Sequence, residues 1–292
     1  MIDQKAIKNK IYNQARDLEV ALYNVFFEND SKEMAVMALS LFQNEDGGFH
    51  GLEPDLTNPN STPFQTSYAL ELLTDIGFDS TNQDEFTKEI IERAFDYLDQ
   101  TIQIDRWPLT VPTNNEFSSA IWWKHRGDEQ PTFNPTASIL ASILVLTNKD
   151  SVRYHNTMKM AHTLIMTYME TITKDKHDLI CLARLYFAVK DLIDGESFKD
   201  KLFNEIRASI DPVDLWEGYA TMPFDYPIEP TNYGIDSKTI DASIAYLEKN
   251  FKGSYWEINW NWMNEDEGFD VQSFKWHGII AIKYLRFFQA NK

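Results

Sequence analysis

The sequence predicts an all-α protein, and three observations lead there. Apolar residues recur at spacings of three and four along most of the chain. No segment keeps an apolar–polar alternation over many residues, so strands are expected to be short and local at most. Helix starts carry the expected chemistry. Thr62 stands before Pro63 in TPFQTSYALELL, and Asn134 before Pro135 in NPTASILASILVL.

Taken in order, residues 4–27 read as one helix, with Ile7, Ile11, Ala15, Leu18, Leu22, Val25 and Phe26 on its apolar side. Residues 32–43 continue the pattern. Further helices are expected over 63–76, 84–103, 135–147, 151–173, 176–193, 197–209, 236–250 and 271–289. Four long connections separate them, at about 44–62, 104–134, 210–235 and 251–270. All eleven prolines lie in these connections or at the helix starts that close them. Seven of the eight tryptophans are there too: Trp107, Trp122, Trp123, Trp216, Trp256, Trp260 and Trp262. Long loops in compact domains are usually functional, and tryptophan is too apolar to be left in water without reason. The loops must therefore pack together or line a cavity.

Length and composition set the bounds. A chain of 292 residues suits one large domain or two small ones. Its 43% hydrophobic and 14% aromatic residues can build a substantial core. The formal net charge of -18, with Lys and Arg scattered, argues against nucleic acid and against an anionic membrane surface. The opening MIDQKAIKNKIYNQARD has no apolar stretch after its basic residues, so no signal peptide is expected. The longest apolar run, ILASILVL at 139–146, is too short to span a bilayer. A single cysteine, Cys181, allows no internal disulfide and no zinc site with two thiolates. The expected location is the cytoplasm.

The stretch FQNEDGGFHGLEPD, residues 42–55, poses the functional question. Its NEDGGF (44–49) recurs in diverged form as NEDEGF (264–269), and each copy precedes a helix. Repeated helix pairs need stacked neighbours to bury their faces. Alternating long and short connections favour a closed arrangement over residues 1–292, with the long loops gathered at one end over a cavity mouth. The count of helices places three of the four loops there and leaves 251–270 at the wrong end.

Gln43, Gly47 and Phe49 stand in the spacing Q-x-x-x-G-x-aromatic. This resembles the QW motif of terpenoid cyclases and the helix-pair repeat of protein prenyltransferase β subunits. The group of bacterial prenyltransferase-like proteins is similar in its VPTNNEF, WW and NPTA stretches. The resemblance implies an α/α toroid, a closed ring of helix pairs around a central cavity, in which the motif residues are structural. The second copy departs from it, with Met263 and Glu267 at the Gln and Gly positions. The acidic runs of class I and class II terpenoid enzymes are missing. No Asp-x-Cys precedes His277, so the zinc set of the β subunits is not matched. No cluster of Arg and Lys suited to a pyrophosphate is visible along the chain.

The candidate chemistry lies in the long loops. Glu53, Asp55, Glu217 and Asp225 are the candidate catalytic carboxylates, since two facing carboxyls can act as acid and base on a glycosidic bond. Trp107, Glu116, Trp122, Trp123, Tyr226, Glu257 and Trp260 are candidate ligand-binding residues, because aromatic faces stack on sugars and stabilise cations. No cofactor and no metal are expected. The spacing of His50 with Glu53 and Asp55 fits neither zinc nor a calcium loop, and no phosphate loop or Gly-x-Ser-x-Gly elbow occurs. Three readings follow. One is a toroid that binds an apolar or amphipathic small molecule in its cavity. The second is a carbohydrate-active enzyme using loop carboxylates on a glycan. The third is a non-catalytic domain whose loop face meets another protein.

Overall fold

The computed structural model describes residues 2–127, 132–192 and 195–291. Residues 128–131 of the second long connection, and residue 193 at a sequence-predicted helix end, lie outside the described residues. Helices dominate, and no strand forms among the described residues. The elements are α1 (Gln4–Gln14), α2 (Asp17–Phe27), α3 (Glu33–Ser40), α4 (Pro63–Asp75), α5 (Glu85–Thr101), α6 (Thr136–Leu146), α7 (Val152–Met169), α8 (Lys176–Val189), α9 (Glu196–Ser209), α10 (Ser237–Lys249), a short α11 (Gly268–Gln272) and α12 (Trp276–Ala290). Asp3, Thr62, Asp84, Ser151, Asp175 and Asp236 cap their helices by accepting from a first-turn amide.

The single helix expected over 4–27 is two. Ala15 and Arg16 are extended, with ψ of 167° and 157°. Nothing in the local sequence breaks a helix there. Tertiary bonding does: Arg16 grips Glu19 through two nitrogens and donates to the carbonyls of Gly51 and Leu52. A continuous helix would forfeit these charge-assisted bonds.

Helices α2, α4, α6, α8 and α12 run in one direction. They start at the end where the long loops lie: Arg16 bonds the 44–62 loop, Trp107 N bonds Thr136, Phe133 N bonds Asp178, and Trp276 bonds Asp55. They finish at the opposite end, where Lys32 bonds Gly77 O, Gln83 bonds Leu146 O, and Asn232 bonds Asn291. α6 is buried on nearly every side because α4, α7 and α8 all pack on it. α5 instead is amphipathic. Its Ile90, Ile91, Ala94, Phe95 and Leu98 are buried and its charged residues face outward.

The loop at 251–270 lies at the loop end with the others. The reason is the 210–235 connection, which does not simply turn. After Asp225 it runs along α8 and α12 and reaches the far end of α12 at Asn232, so an extended segment takes the place of a helix. α10 then carries the chain back, and the parity is restored. The loops bond directly to one another. Ala120 N donates to Asp55 O (2.9 Å), Ile121 N to Trp262 O (3.1 Å), and Asn264 Nδ2 to Ser119 O (2.8 Å). Asn259 Nδ2 donates to Gly218 O.

Within the first loop, Gln43 Nε2 donates to Gly47 O and to Ile90 O on α5, both at 2.9 Å. Gly47 has φ +88°, and a Cβ there would lie 2.2 Å from Arg93 O. Phe49 is fully buried, and its amide donates to Thr66 Oγ1. The second copy keeps one element of this geometry: Asp266 accepts from Gly268 N at 2.9 Å as Asp46 does from Gly48 N at 3.0 Å. Met263, where the first copy has Gln43, is exposed.

Candidate functional site

A cavity of about 430 Å³ lies among α2, α4, α6, α8, α12 and the segment 224–228. Leu18, Leu22, Leu72, Ile180, Phe224 and Ile282 make much of its wall apolar. Four cations also reach it: Arg16 at the start of α2, Arg184 on α8, and Lys283 and Arg286 on α12. The sequence shows no such cluster because the four residues come together only when the helices do. Lys283 and Arg286, one turn apart beside Ile279 and Ile282, carried the only local hint.

Each cation has an acidic partner. Arg184 binds Asp75 through Nη1 (2.8 Å) and Nη2 (3.1 Å), and Arg286 Nη1 lies 3.3 Å from the same carboxylate. Burial opposes ionisation of Asp75, but the two guanidiniums outweigh it and hold the carboxyl below its ordinary range. Asp225 receives Lys283 at 2.7 Å and Lys176 at 3.6 Å. There too burial opposes the charge, and Lys283 and then Lys176 overcome it. Lys176 itself is pushed down by burial, against the pull of Asp225.

The accessible end of the cavity is the one away from the loops. Ile228 is 41% exposed, and the Arg286 and Asp75 side chains are 28% and 24% exposed, whereas Leu52, Leu18 and Glu19 at the loop end are at 0–2%. The expectation of loops framing an open mouth is corrected by the packing at that end. Asp55 Oδ1 accepts from Trp262 Nε1 (2.7 Å) and Trp276 Nε1 (3.0 Å), and Oδ2 from Trp260 Nε1 (2.9 Å). Trp276 stands one turn before the lining residue Ile279, so this clamp caps the loop end. Trp260 packs edge-on against both Trp276 and Tyr219. Tyr219 bonds His177 (2.8 Å), and the Lys176 ammonium sits 3.7 Å from the Tyr219 ring centre.

The sequence-predicted residues divide accordingly. Asp225 and Tyr226 line the cavity. Glu53, Asp55 and Trp260 gather among the loops and are not part of the cavity lining. Glu53 is buried, and Asp55 N approaches its Oε1 at 3.4 Å. Burial, reinforced by the neighbouring Asp55, pushes the Glu53 carboxyl up to about 8. Glu53 therefore stays protonated at neutral pH. Asp55, its oxygens taken by three indoles, has no position from which to attack or activate a substrate, so the two do not form an acid–base pair of the glycosidase kind.

The remaining candidates lie elsewhere. Trp107 is buried against α5 and donates to Leu98 O. Trp123 is buried with Leu56, Ala120 and Trp262 in a small core beneath the loops. Trp122, Glu116 and Glu217 are on the surface, and exposed Glu257 lies 3.7 Å from Lys252. Tyr68, Gln65, Arg184, Lys283 and Arg286 were not singled out by the sequence. Among the described residues no group of three His, Cys, Asp or Glu side chains is placed to hold a metal ion, and no helix is long and apolar enough to cross a membrane. Cys181 is buried, and burial raises its thiol far above the ordinary range, so it is inert as a nucleophile. No protein-family profile matches the chain, and no curated protein sequence matches it.

Proposed function

We propose that the chain is an α/α toroid of the terpenoid-cyclase and prenyltransferase β-subunit kind, of unassigned activity, which holds an apolar or amphipathic small molecule in its central cavity. The observation that carries this reading is the cavity itself. Five helices starting at the same end contribute to one space of about 430 Å³, within the range of small-molecule sites. A domain serving only as a docking platform has no need of an unfilled centre, since closer packing would stabilise it. Support for the toroid comes from the shared direction of those helices and from the Gln43–Gly47–Phe49 geometry, which ties the first long loop to α4 and α5.

Ligand entry is from the end near Ala188, Asp75 and Arg286. The test is equilibrium binding of Nile red, an apolar fluorophore, to the full chain. Saturable binding at one site is expected, and Ala188→Phe, which fills the accessible end, is expected to weaken it by about tenfold, or 1.4 kcal/mol. The reading fails if the dye does not bind saturably, or binds Ala188→Phe as tightly while the variant keeps its unfolding midpoint.

A further inference from the structure

The charges around the cavity do not cancel. Its lining carries the four cations named above and three carboxylates, Glu19, Asp75 and Asp225. Each carboxylate has a cation of its own. Glu19 binds Arg16 through two nitrogens, at 2.9 and 2.6 Å. Arg184 takes both oxygens of Asp75, at 2.8 and 3.1 Å. Lys283 binds Asp225 at 2.7 Å. Behind the wall, Glu71 lies 2.9 Å from Arg184 Nε and Lys176 lies 3.6 Å from Asp225, so the layer outside adds one charge of each sign. One positive charge is left over, in a chain whose formal net charge is -18.

The surplus lies at Arg286. Its one hydrogen bond to the described residues runs from Nη1 to Asp75 Oδ2 at 3.3 Å, onto an oxygen that Arg184 already holds. A guanidinium has five N–H donors, so Nε and Nη2 bond no described residue. Arg286 Cζ also sits 4.2 Å from the centre of the Phe26 ring, which is itself part of the wall. Ring and carboxylate restrict the side chain before any ligand arrives, which lowers the entropy cost of binding. The Arg286 side chain is partly exposed at the accessible end of the cavity, so a ligand atom can reach it.

Such a group calls for an anion, and the surroundings limit how much charge that anion carries. A carboxylate has one negative charge and two oxygens spaced for an arginine fork. A phosphate monoester brings about two charges, against one surplus cation and beside Asp75 and Asp225. The five helices that wall the cavity also finish at this end, and their C-terminal dipoles oppose each added negative charge. A cationic head would meet the surplus guanidinium. We infer that the cavity ligand is an amphipathic monocarboxylate, whose carboxylate pairs with Arg286 at the accessible end and whose apolar body runs inward along Leu72, Ile180 and Ile282. This rests on the cavity reading above.

The experiment uses probes of one chain length, octanoate, 1-octanol and octyl phosphate, displacing Nile red from the full chain at neutral pH. Each is measured on the natural sequence, Arg286→Met and Arg286→Lys. Arg286→Met leaves Asp75 bonded to Arg184, so the fold is expected to survive it, and the urea midpoint checks this. Octanoate is expected to bind the natural sequence more tightly than octyl phosphate does. It should weaken by about tenfold in Arg286→Met and by about threefold in Arg286→Lys, which keeps the charge and loses the fork, with 1-octanol changed less than about twofold in both. Equal weakening of octanoate and 1-octanol would make Arg286 mere wall and overturn the inference, and so would an octanoate affinity that is the same in all three proteins. Tighter binding of octyl phosphate than of octanoate would replace the carboxylate by a phosphate and also overturn it. Should Arg286→Met not fold, the comparison of Arg286→Lys with the natural sequence decides by the same criteria. If Nile red and 1-octanol bind saturably while octanoate is indifferent to residue 286, the cavity reading stands and this inference alone falls. If neither the dye nor any probe binds, both fall.

Discussion

Replacing Asp55 should damage the protein more than any other loop substitution. Its carboxylate joins the 44–62 loop to three tryptophans of the last connection and of α12, at 2.7, 2.9 and 3.0 Å. Hydrogen bonds to a charged group contribute about 1.5–3 kcal/mol each, and a buried donor left unpaired costs about 1–3 kcal/mol. The three are not additive. Trp262 is 1% exposed and cannot recover a water bond by turning, whereas Trp260 and Trp276 are only half-buried and can. Asp55→Ala is therefore expected to lower stability by about 3–6 kcal/mol, a large part of the roughly 5–15 kcal/mol of a typical domain. Asp55→Asn should cost about half as much. Its carbonyl can keep Trp262 and Trp276, while its amide N–H₂ opposes the Trp260 N–H. Urea unfolding followed by far-UV circular dichroism measures the change, provided the slope is unchanged. An Asp55→Ala midpoint within about 1 kcal/mol of the natural sequence would refute the argument. A more damaged Asn variant would refute the geometry.

Three further outcomes are expected. Phe49→Ala should cost about 3–5 kcal/mol, as for other fully buried phenylalanines, and an unchanged melting temperature would remove Phe49 from the core. Gly47→Ala should cost at least about 1–3 kcal/mol, because φ is +88° and its Cβ would meet Arg93 O at 2.2 Å. A neutral effect in urea unfolding would show that the turn is not as described. Glu53→Gln should change the pH dependence. The folded carboxyl, at about 8, holds its proton more tightly than the unfolded one near 4.5, so the folded state carries the extra proton across that window. Stability of the natural sequence then falls as pH rises from 4.5 to 8. The Gln variant should lack this fall and gain on it by on the order of 5 kcal/mol above pH 8. Parallel stability–pH curves for the two would count against a protonated Glu53.

The local motif around Gly47 was legible because its chemistry is local. A glycine next to an acidic turn, a glutamine four residues before it and an aromatic two residues after it are constrained by backbone geometry within a few residues. The structure then supplies distances: Gln43 on Gly47 O and Ile90 O, and Phe49 under Thr66. The helical class was legible for the same reason, since a 3.6-residue period needs only neighbours on one helix. The break at Arg16 was not. Its causes are Gly51 and Leu52, 35 and 36 residues away, and no local propensity records them.

The candidate site divides along the same line. Composition pointed to carboxylates and tryptophans in long loops, and the loops do meet. Their roles depended on which atoms end up paired. Asp55 and Glu53 are two residues apart and equally acidic in sequence. Three indoles from residues 260–276 take up one carboxylate, while burial without an ion-pair partner keeps the other protonated. Arg16, Arg184, Lys283 and Arg286 look scattered along the chain and share one cavity. By itself, then, the sequence determined helix, turn and loop, because those depend on short-range periodicity and backbone freedom. Only the tertiary structure decided which polar groups are satisfied and which are left without a partner, because hydrogen-bond partners and dielectric surroundings are set by residues far apart in the chain.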